Sequence, residues 1–203
     1  MRTFIINVGR DAADGFSGAA GGVAFLGEVC CGVAETLRHP EKLRWRFVWY
    51  YLELCGRKSV PIVVYICFLM GVILAFQAAV QLRNYGAELF VADLLAFSVL
   101  KELGPLMVAV IATGRAGSSF AAEIGTMKVD EEINALRTMG INPCRFLVVP
   151  KLLAMVVSLP LLTVIGDIMG LAGGLAVAVS YLGMPAGVYI SRTFEVLRPD
   201  VLY

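Results

Sequence analysis

The sequence is poor in charged residues. Only 16% of its 203 residues are Asp, Glu, Lys or Arg, whereas an ordinary soluble domain has about a quarter. Hydrophobic residues make up 59% of the chain, and the mean hydropathy is +0.79. This composition excludes a disordered chain, because disordered chains are polar and highly charged. It also exceeds what the core of a soluble domain of this size can bury, so we expect the surplus to face lipid.

Three kinds of site are also missing from the sequence. The 17 Lys and Arg are balanced by 16 Asp and Glu, so no basic surface for nucleic acid is expected. The chain has one histidine, His39, and five cysteines without a Cys-x-x-Cys pair, so we expect no metal site. Residues 114–119 lack the Gly-Lys-Ser/Thr of a phosphate-binding loop. We therefore expect no bound cofactor and no enzymatic activity in this chain.

Long apolar segments indicate an all-α integral membrane protein. A spanning helix needs about 20 predominantly apolar residues. Residues 60–76 contain no charge and extend to 82, residues 89–114 form a second segment, and residues 152–184 a third. A fourth segment begins at 192–203. The sequence thus predicts three complete membrane helices and the start of a fourth in a permease domain of residues 59–203.

The distribution of Lys and Arg predicts the orientation of these helices. Residues 1–58 and 115–151 together carry thirteen, the linker after the first segment carries only Arg83, and 182–191 carry none. Cytoplasmic loops are enriched in Lys and Arg, so the first two regions are predicted to be cytoplasmic. Residues 1–58 form the predicted N-terminal region. Its stretch 15–55, which mixes aromatic and basic residues, is predicted to form one or two helices lying on the membrane.

A short amphipathic helix is predicted at residues 129–139, between the second and third membrane segments. Its apolar residues recur at spacings of four, three and three: Val129, Ile133, Leu136 and Met139. Gly140 suits the left-handed position that ends a helix, and Pro143 follows as a stop. The apolar face must dock either on the protein's own helix ends or in a groove of a partner protein.

Five motifs in this order resemble those of the MlaE (YrbE) permease family, the membrane subunits of lipid-moving ABC transporters. They are LKELGP at 100–105, GRAGS at 114–118, AEIGTMKV at 122–129, ALRTMGINP at 135–143 and SLP at 158–160. The resemblance is dense from about 98 to 175 and looser from 59 to 97. It implies a multi-pass protein of the bacterial inner membrane that moves lipid, with phospholipid the favoured cargo.

The resemblance also implies partners. Family members are expected to be homodimers with an N-terminal interfacial helix and five membrane helices per subunit. A separate cytoplasmic ATPase, which holds the ATP and magnesium, binds a coupling helix that maps onto residues 127–143. The corresponding coupling residues here are Val129, Glu132, Ile133, Leu136, Arg137 and Met139. A periplasmic MCE-domain lipid-binding protein is expected above the dimer. Because the family pattern continues beyond Tyr203, we expect the sequence to be a fragment or a truncated protein.

Polar residues within the predicted spans are the candidates for the lipid path. An ionisable residue in a span is expensive unless it faces protein or water. The candidates for lining a lipid cavity are Glu102, Lys101, Gln77 and Tyr85. A salt bridge that fixes helix packing is an equally good reading of Lys101 and Glu102. Asp93 and Asp167 have no partner or role that the sequence identifies.

Two further features of the sequence are predicted to have structural roles. Arg115 and Glu123, eight residues apart, are predicted to be supporting charges that hold the coupling segment. A stripe of small residues recurs every fourth position in the third segment: Gly166, Gly170, Gly174 and Ala178. Such stripes let helix backbones approach closely, so we predict a packing surface there.

Two other functions remain open at this point. An ion-coupled secondary transporter would use Lys101, Glu102 and Asp167 as relay groups. A non-transporting membrane scaffold would use its glycine stripes for assembly. Binding of an ATPase to residues 127–143 would distinguish the lipid permease from the first alternative, and lipid that co-purifies with the chain would count against the second.

Overall fold

A computed structural model describes residues 20–36, 38, 45–87 and 89–196 of the chain. Within these ranges the fold consists of helices and turns. The helices are α1 (20–36), α2 (Trp45–Arg83), α3 (Phe90–Val129), α4 (Glu132–Thr138), α5 (Cys144–Ser180) and α6 (Ala186–Val196). Helices α2, α3 and α5 are long and apolar enough to cross a membrane. The predicted all-α membrane protein is thereby confirmed. His39 and residues 197–203 lie outside the described residues.

Helix α2 begins well before the predicted apolar segment. It runs for 39 residues from Trp45, a length of roughly 58 Å, which is almost twice the ~30 Å hydrocarbon core. Residues 45–55 belong to the stretch 15–55, for which the sequence predicts one or two helices lying on the membrane. The structure corrects this, because no residue between 45 and 55 interrupts the backbone hydrogen bonds and Gly56 alone disfavours a helix by only about 1 kcal/mol. Pro61 also lies inside the helix.

Helix α3 continues past the predicted end at residue 114. It contains two wide turns but no break. At Val99–Leu103 and Thr113–Gly117 the helix takes a π conformation, with hydrogen bonds to the carbonyl five residues back. A similar turn, Cys144–Val148, opens α5, which starts eight residues before the predicted segment. Each π turn adds a residue to the helix and re-aims the side chains that follow it.

The described chain divides into two compact units. The first contains residues 20–36, 38, 45–49 and 125–153. There, Gly140 adopts φ 73° after α4, the Ile141 N–H bonds the Leu136 carbonyl at 3.0 Å, and the Gly140 N–H bonds the Arg137 carbonyl at 3.0 Å. This pair of bonds is a Schellman motif, which confirms the predicted role of Gly140.

The amphipathic helix is shorter than predicted. Glu131 takes a left-handed conformation with φ 60°, so α4 spans only Glu132–Thr138 and Val129 is the last residue of α3. The apolar periodicity across 129–139 did not reveal this break, since the spacing of side chains says nothing about a single backbone angle. Pro143, predicted as a stop, lies immediately before α5, whose first residue Cys144 donates its N–H to the Asn142 side chain at 2.9 Å.

Polar contacts hold α1 against the segment that opens α5. The Asn142 side-chain amide donates to the Glu28 carboxylate at 3.0 Å, and the Arg145 guanidinium pairs with Glu35 at 2.7 Å. Large apolar side chains of α1 remain exposed, including Val23 and Leu26 at 69% and 62%. A helix with exposed apolar residues suits the membrane surface, and the interfacial position of this helix stays a prediction.

The second unit contains residues 50–124 and 154–196 of the described chain. Its core has two buried clusters. One brings together Leu95 and Val99 of α3, Val177 of α5 and Tyr189 of α6; the other joins Val63 and Cys67 of α2 with Val108 and Leu162. The outward side chains of the same helices are apolar and exposed, as lipid-facing positions must be.

Glycines of α5 allow its backbone to touch that of α2. All four residues of the predicted stripe are buried. A Cβ on Gly71 of α2 would overlap the Gly170 carbonyl, and a Cβ on Gly173 would overlap the carbonyl of Phe68. Only glycine permits this approach, which confirms the predicted packing surface.

We expect Gly71→Ala to destabilise the protein by about 1–3 kcal/mol, because the added methyl must displace backbone rather than a flexible side chain. Gly56→Ala is the matched control: it lies on the same helix with nothing within 4 Å of its Cβ position. Melting temperatures of the two detergent-purified variants test this. Equal melting temperatures would show that the α2–α5 approach is not as close as the structure has it.

Candidate functional site

The polar centre of α3 lies in its first π turn. The Gly104 N–H bonds the Val99 carbonyl, five residues back, and Lys101 and Glu102 occupy the turn between them. Both side chains are exposed on the outside of this chain. The Lys101 ammonium lies 4.9 Å from the centre of the Phe97 ring, a cation–π contact. The turn therefore presents two opposite charges within the first third of a spanning helix.

The other two candidates for the lipid cavity lie elsewhere. Gln77 is exposed on α2, and Tyr85 is 85% exposed in the turn that follows α2. Glu102 and Lys101 share a turn, but neither Gln77 nor Tyr85 joins them in a cavity formed by the described residues. The predicted cavity of Glu102, Lys101, Gln77 and Tyr85 stays a prediction.

A cavity of about 470 Å³ lies between α3, α5 and α6. Apolar side chains form most of its wall, which is lined by Leu100, Val164, Asp167, Ile168, Leu171, Ala172, Leu175, Tyr189, Ile190, Thr193 and Phe194. The hydroxyls of Tyr189 and Thr193 donate to backbone carbonyls, at 3.2 and 2.9 Å. Sequence reasoning did not identify Tyr189. No sequence signal marks this position, where Gly174 makes room for the Tyr189 hydroxyl.

Asp167 contributes the carboxyl group of this cavity. Its Oδ1 is buried and has no hydrogen-bond partner within the described residues. A Cβ on Gly104 would overlap this oxygen, so Asp167 of α5 reaches the π turn of α3 through a gap that only glycine leaves. The sequence placed Asp167 in the third span but gave no indication of what it faces.

Asp93, in the first turn of α3, has a partner on α6. Its carboxylate lies 3.7 Å from the Arg192 guanidinium of α6, which is also 3.7 Å from Glu195. The pair fixes α6 beside the start of α3, a structural role that the sequence did not identify for Asp93.

Glu123 anchors the C-terminal half of α3 to α2. The Tyr51 hydroxyl donates to the Glu123 carboxylate at 2.8 Å, and the Tyr51 ring meets the edge of Phe120 at 5.8 Å. The structure therefore gives Glu123 a supporting contact, although with a tyrosine. Arg115 is half-buried in the second π turn, and the described residues include no ion pair between it and Glu123.

The predicted coupling residues divide into two groups. Ile133 and Leu136, both on α4, are half-buried, whereas Val129 and Met139 are 80% and 65% exposed and lie outside that helix. The charged residues Glu132 and Arg137 are exposed. An apolar strip that includes two strongly exposed large side chains can accept a partner protein.

Comparisons with known proteins agree with the resemblance. The family model described as "Permease MlaE" matches residues 48–203. The chain is 38% identical over 171 residues to a probable ABC transporter permease protein of Rickettsia bellii. It is 35% identical over 140 residues to the intermembrane phospholipid transport system permease protein MlaE of Haemophilus influenzae. It is 29% identical over 158 residues to the protein Trigalactosyldiacylglycerol 1, chloroplastic, of Arabidopsis thaliana.

These matches cover most of this chain and less of the relatives. The three alignments include 84%, 69% and 78% of this chain, but 65%, 54% and 45% of the respective relatives. The chain thus spans about two thirds or less of the length of the curated relatives it matches.

We expect Tyr51→Phe to lower the free energy of unfolding by about 1–3 kcal/mol, because it removes a hydrogen-bond donor from the half-buried Glu123 carboxylate. Tyr65→Phe, on the same helix, removes a hydroxyl from a side chain that is 66% exposed and should change stability by less than about 0.5 kcal/mol. Thermal unfolding of both variants in the same detergent provides the comparison. A Tyr51→Phe protein as stable as the control would argue against the bond to Glu123.

Proposed function

The chain belongs to the MlaE permease family, and on this basis we propose that it is the membrane-spanning subunit of an ABC transporter that moves phospholipid at the bacterial inner membrane. Permeases of this kind are not themselves enzymes. The observation that carries the proposal is the family match over residues 48–203, which includes all three spanning helices. The similarity to a relative named as a phospholipid transport permease supports the choice of cargo.

In this proposal the free energy comes from a separate cytoplasmic ATPase, which holds the ATP and magnesium. Helix α4 is the proposed coupling helix. It is short, joins two spanning helices and is flanked by exposed apolar residues, Val129 and Met139. An amphipathic helix of this kind docks its apolar face into a groove of its partner. The Schellman motif at Gly140 fixes where the helix ends, so that the face keeps a defined direction.

The lipid path is proposed to pass the π turn of α3. Lys101 and Glu102 are exposed there, on the outside of a single chain. Direct exposure of these charges to acyl chains would cost at least about 2.5 kcal/mol each, so they must face protein or water in the assembly. A homodimer in which two such turns face a central cavity satisfies this requirement. A periplasmic MCE-domain protein is proposed to exchange lipid with that cavity.

Leu136→Asp tests the coupling helix. A carboxylate in an apolar groove is costly unless it is paired, so we expect ATP-driven lipid transport to fall at least tenfold and ATPase binding to weaken. Ala135→Asp is the control, because residue 135 is exposed and lies one position, or about 100°, away around the same helix. The measurements are the amount of co-purified ATPase and lipid transfer by the reconstituted full-length permease. If Leu136→Asp retains both at the wild-type level, α4 is not the ATPase contact.

A further inference from the structure

Asp167 is an ionisable residue in the middle of a spanning helix. It lies 23 residues after the start of α5 and 13 before its end, well inside the apolar region. The mechanism proposed above gives it no role. Carboxyl groups at such depth are expensive when charged, and they persist where the protein supplies a specific environment.

That environment is a gap beside Gly104. A Cβ at position 104 would overlap Asp167 Oδ1 and would lie 2.7 Å from the Val99 carbonyl oxygen. The carboxyl oxygen and the backbone carbonyl oxygen therefore border the same small space. Both are acceptors when the carboxyl group is ionised, and two facing acceptors repel each other unless a proton lies between them.

The wall of its cavity offers the Asp167 carboxylate no counter-charge. The residues that line its cavity include no Lys or Arg, and Asp167 forms no ion pair within the described part of the chain. The nearby hydroxyls of Tyr189 and Thr193 donate to other acceptors. On the side of α2, the thiol of Cys67 faces Gly166, the preceding residue of α5. The neutral acid suits this setting better than the carboxylate.

The π turn of α3 supplies acceptors for such an acid. Its register shift directs the Gly104 N–H to the Val99 carbonyl, and the next residue, Pro105, has no N–H to donate. The N–H that another residue at position 105 would direct to the Lys101 carbonyl is therefore missing. Backbone carbonyls within a membrane must be satisfied by the protein itself, so a donor from a neighbouring helix stabilises the turn.

We propose that Asp167 is a positioning residue, which as a neutral carboxylic acid donates a hydrogen bond to the backbone of the π turn Val99–Leu103. This bond joins α5 to α3 at the turn that carries Lys101 and Glu102. It holds those two side chains in the orientation that the lipid path requires. The role of this orientation in lipid transport rests on the function proposed above, whereas the hydrogen bond itself does not.

Infrared spectroscopy tests the hydrogen bond directly. The probe is the carbonyl stretch of a protonated carboxylic acid, measured on the full-length permease in lipid at neutral pH as a difference spectrum between wild type and Asp167→Asn. We expect an acid band that is lost in Asp167→Asn and shifted in Gly104→Ala, whose methyl occupies the gap. Gly114→Ala, with nothing within 4 Å of its Cβ position, should leave the band unchanged.

Transport by two variants tests the positioning role. Asn keeps a donor in the same place and should retain at least half of the lipid transport of the wild type. Leu has a similar size but no donor, and should lower transport at least tenfold. If the neutral-pH spectrum lacks the acid band, or if Asp167→Asn transports no better than Asp167→Leu, the proposal is wrong. A wild-type complex that shows the band but moves no lipid would instead contradict the proposed function.

Discussion

The fold depends on the backbone contact between α2 and α5. In a bilayer no hydrophobic effect drives helices together, because lipid tails are as apolar as the side chains they would replace. Association therefore relies on close packing, which Gly71, Gly170 and Gly173 permit by removing every side-chain atom from the contact. The same helix α5 carries Asp167, so the register set by these glycines also determines where its carboxyl group meets α3.

This arrangement links packing to the polar centre of the membrane region. Gly166 lies against Cys67 of α2 and Val108 of α3, and Asp167 follows it at the gap beside Gly104. A shift of α5 by one residue would move the carboxyl group away from this gap and place it against apolar side chains. The glycine contact and the buried acid are therefore two parts of one constraint on the position of α5. The positions of the Lys101 and Glu102 side chains depend on this constraint, because the π turn that carries them contacts α5.

Much of this fold could be predicted from the sequence, because membrane spans and helix ends have local signals. Apolar runs located the three spanning helices, and Gly140 marked the end of α4. The left-handed Glu131 and the π turns have no such signal, since they result from how a long helix accommodates its neighbours. The contacts of Asp93 with Arg192 and of Tyr51 with Glu123 join residues 99 and 72 positions apart. Periodicity cannot reveal pairings of that kind.

The source of the driving free energy is the most direct test of the account. The full-length permease, reconstituted in liposomes with and without its ATPase partner, can be assayed for movement of a fluorescent phospholipid. The account predicts movement that requires both ATP and the ATPase, and that stops when the ATPase cannot hydrolyse ATP. Movement driven by a proton or sodium gradient without ATP would contradict it and identify an ion-coupled transporter. No lipid movement by a folded, assembled complex would equally contradict it.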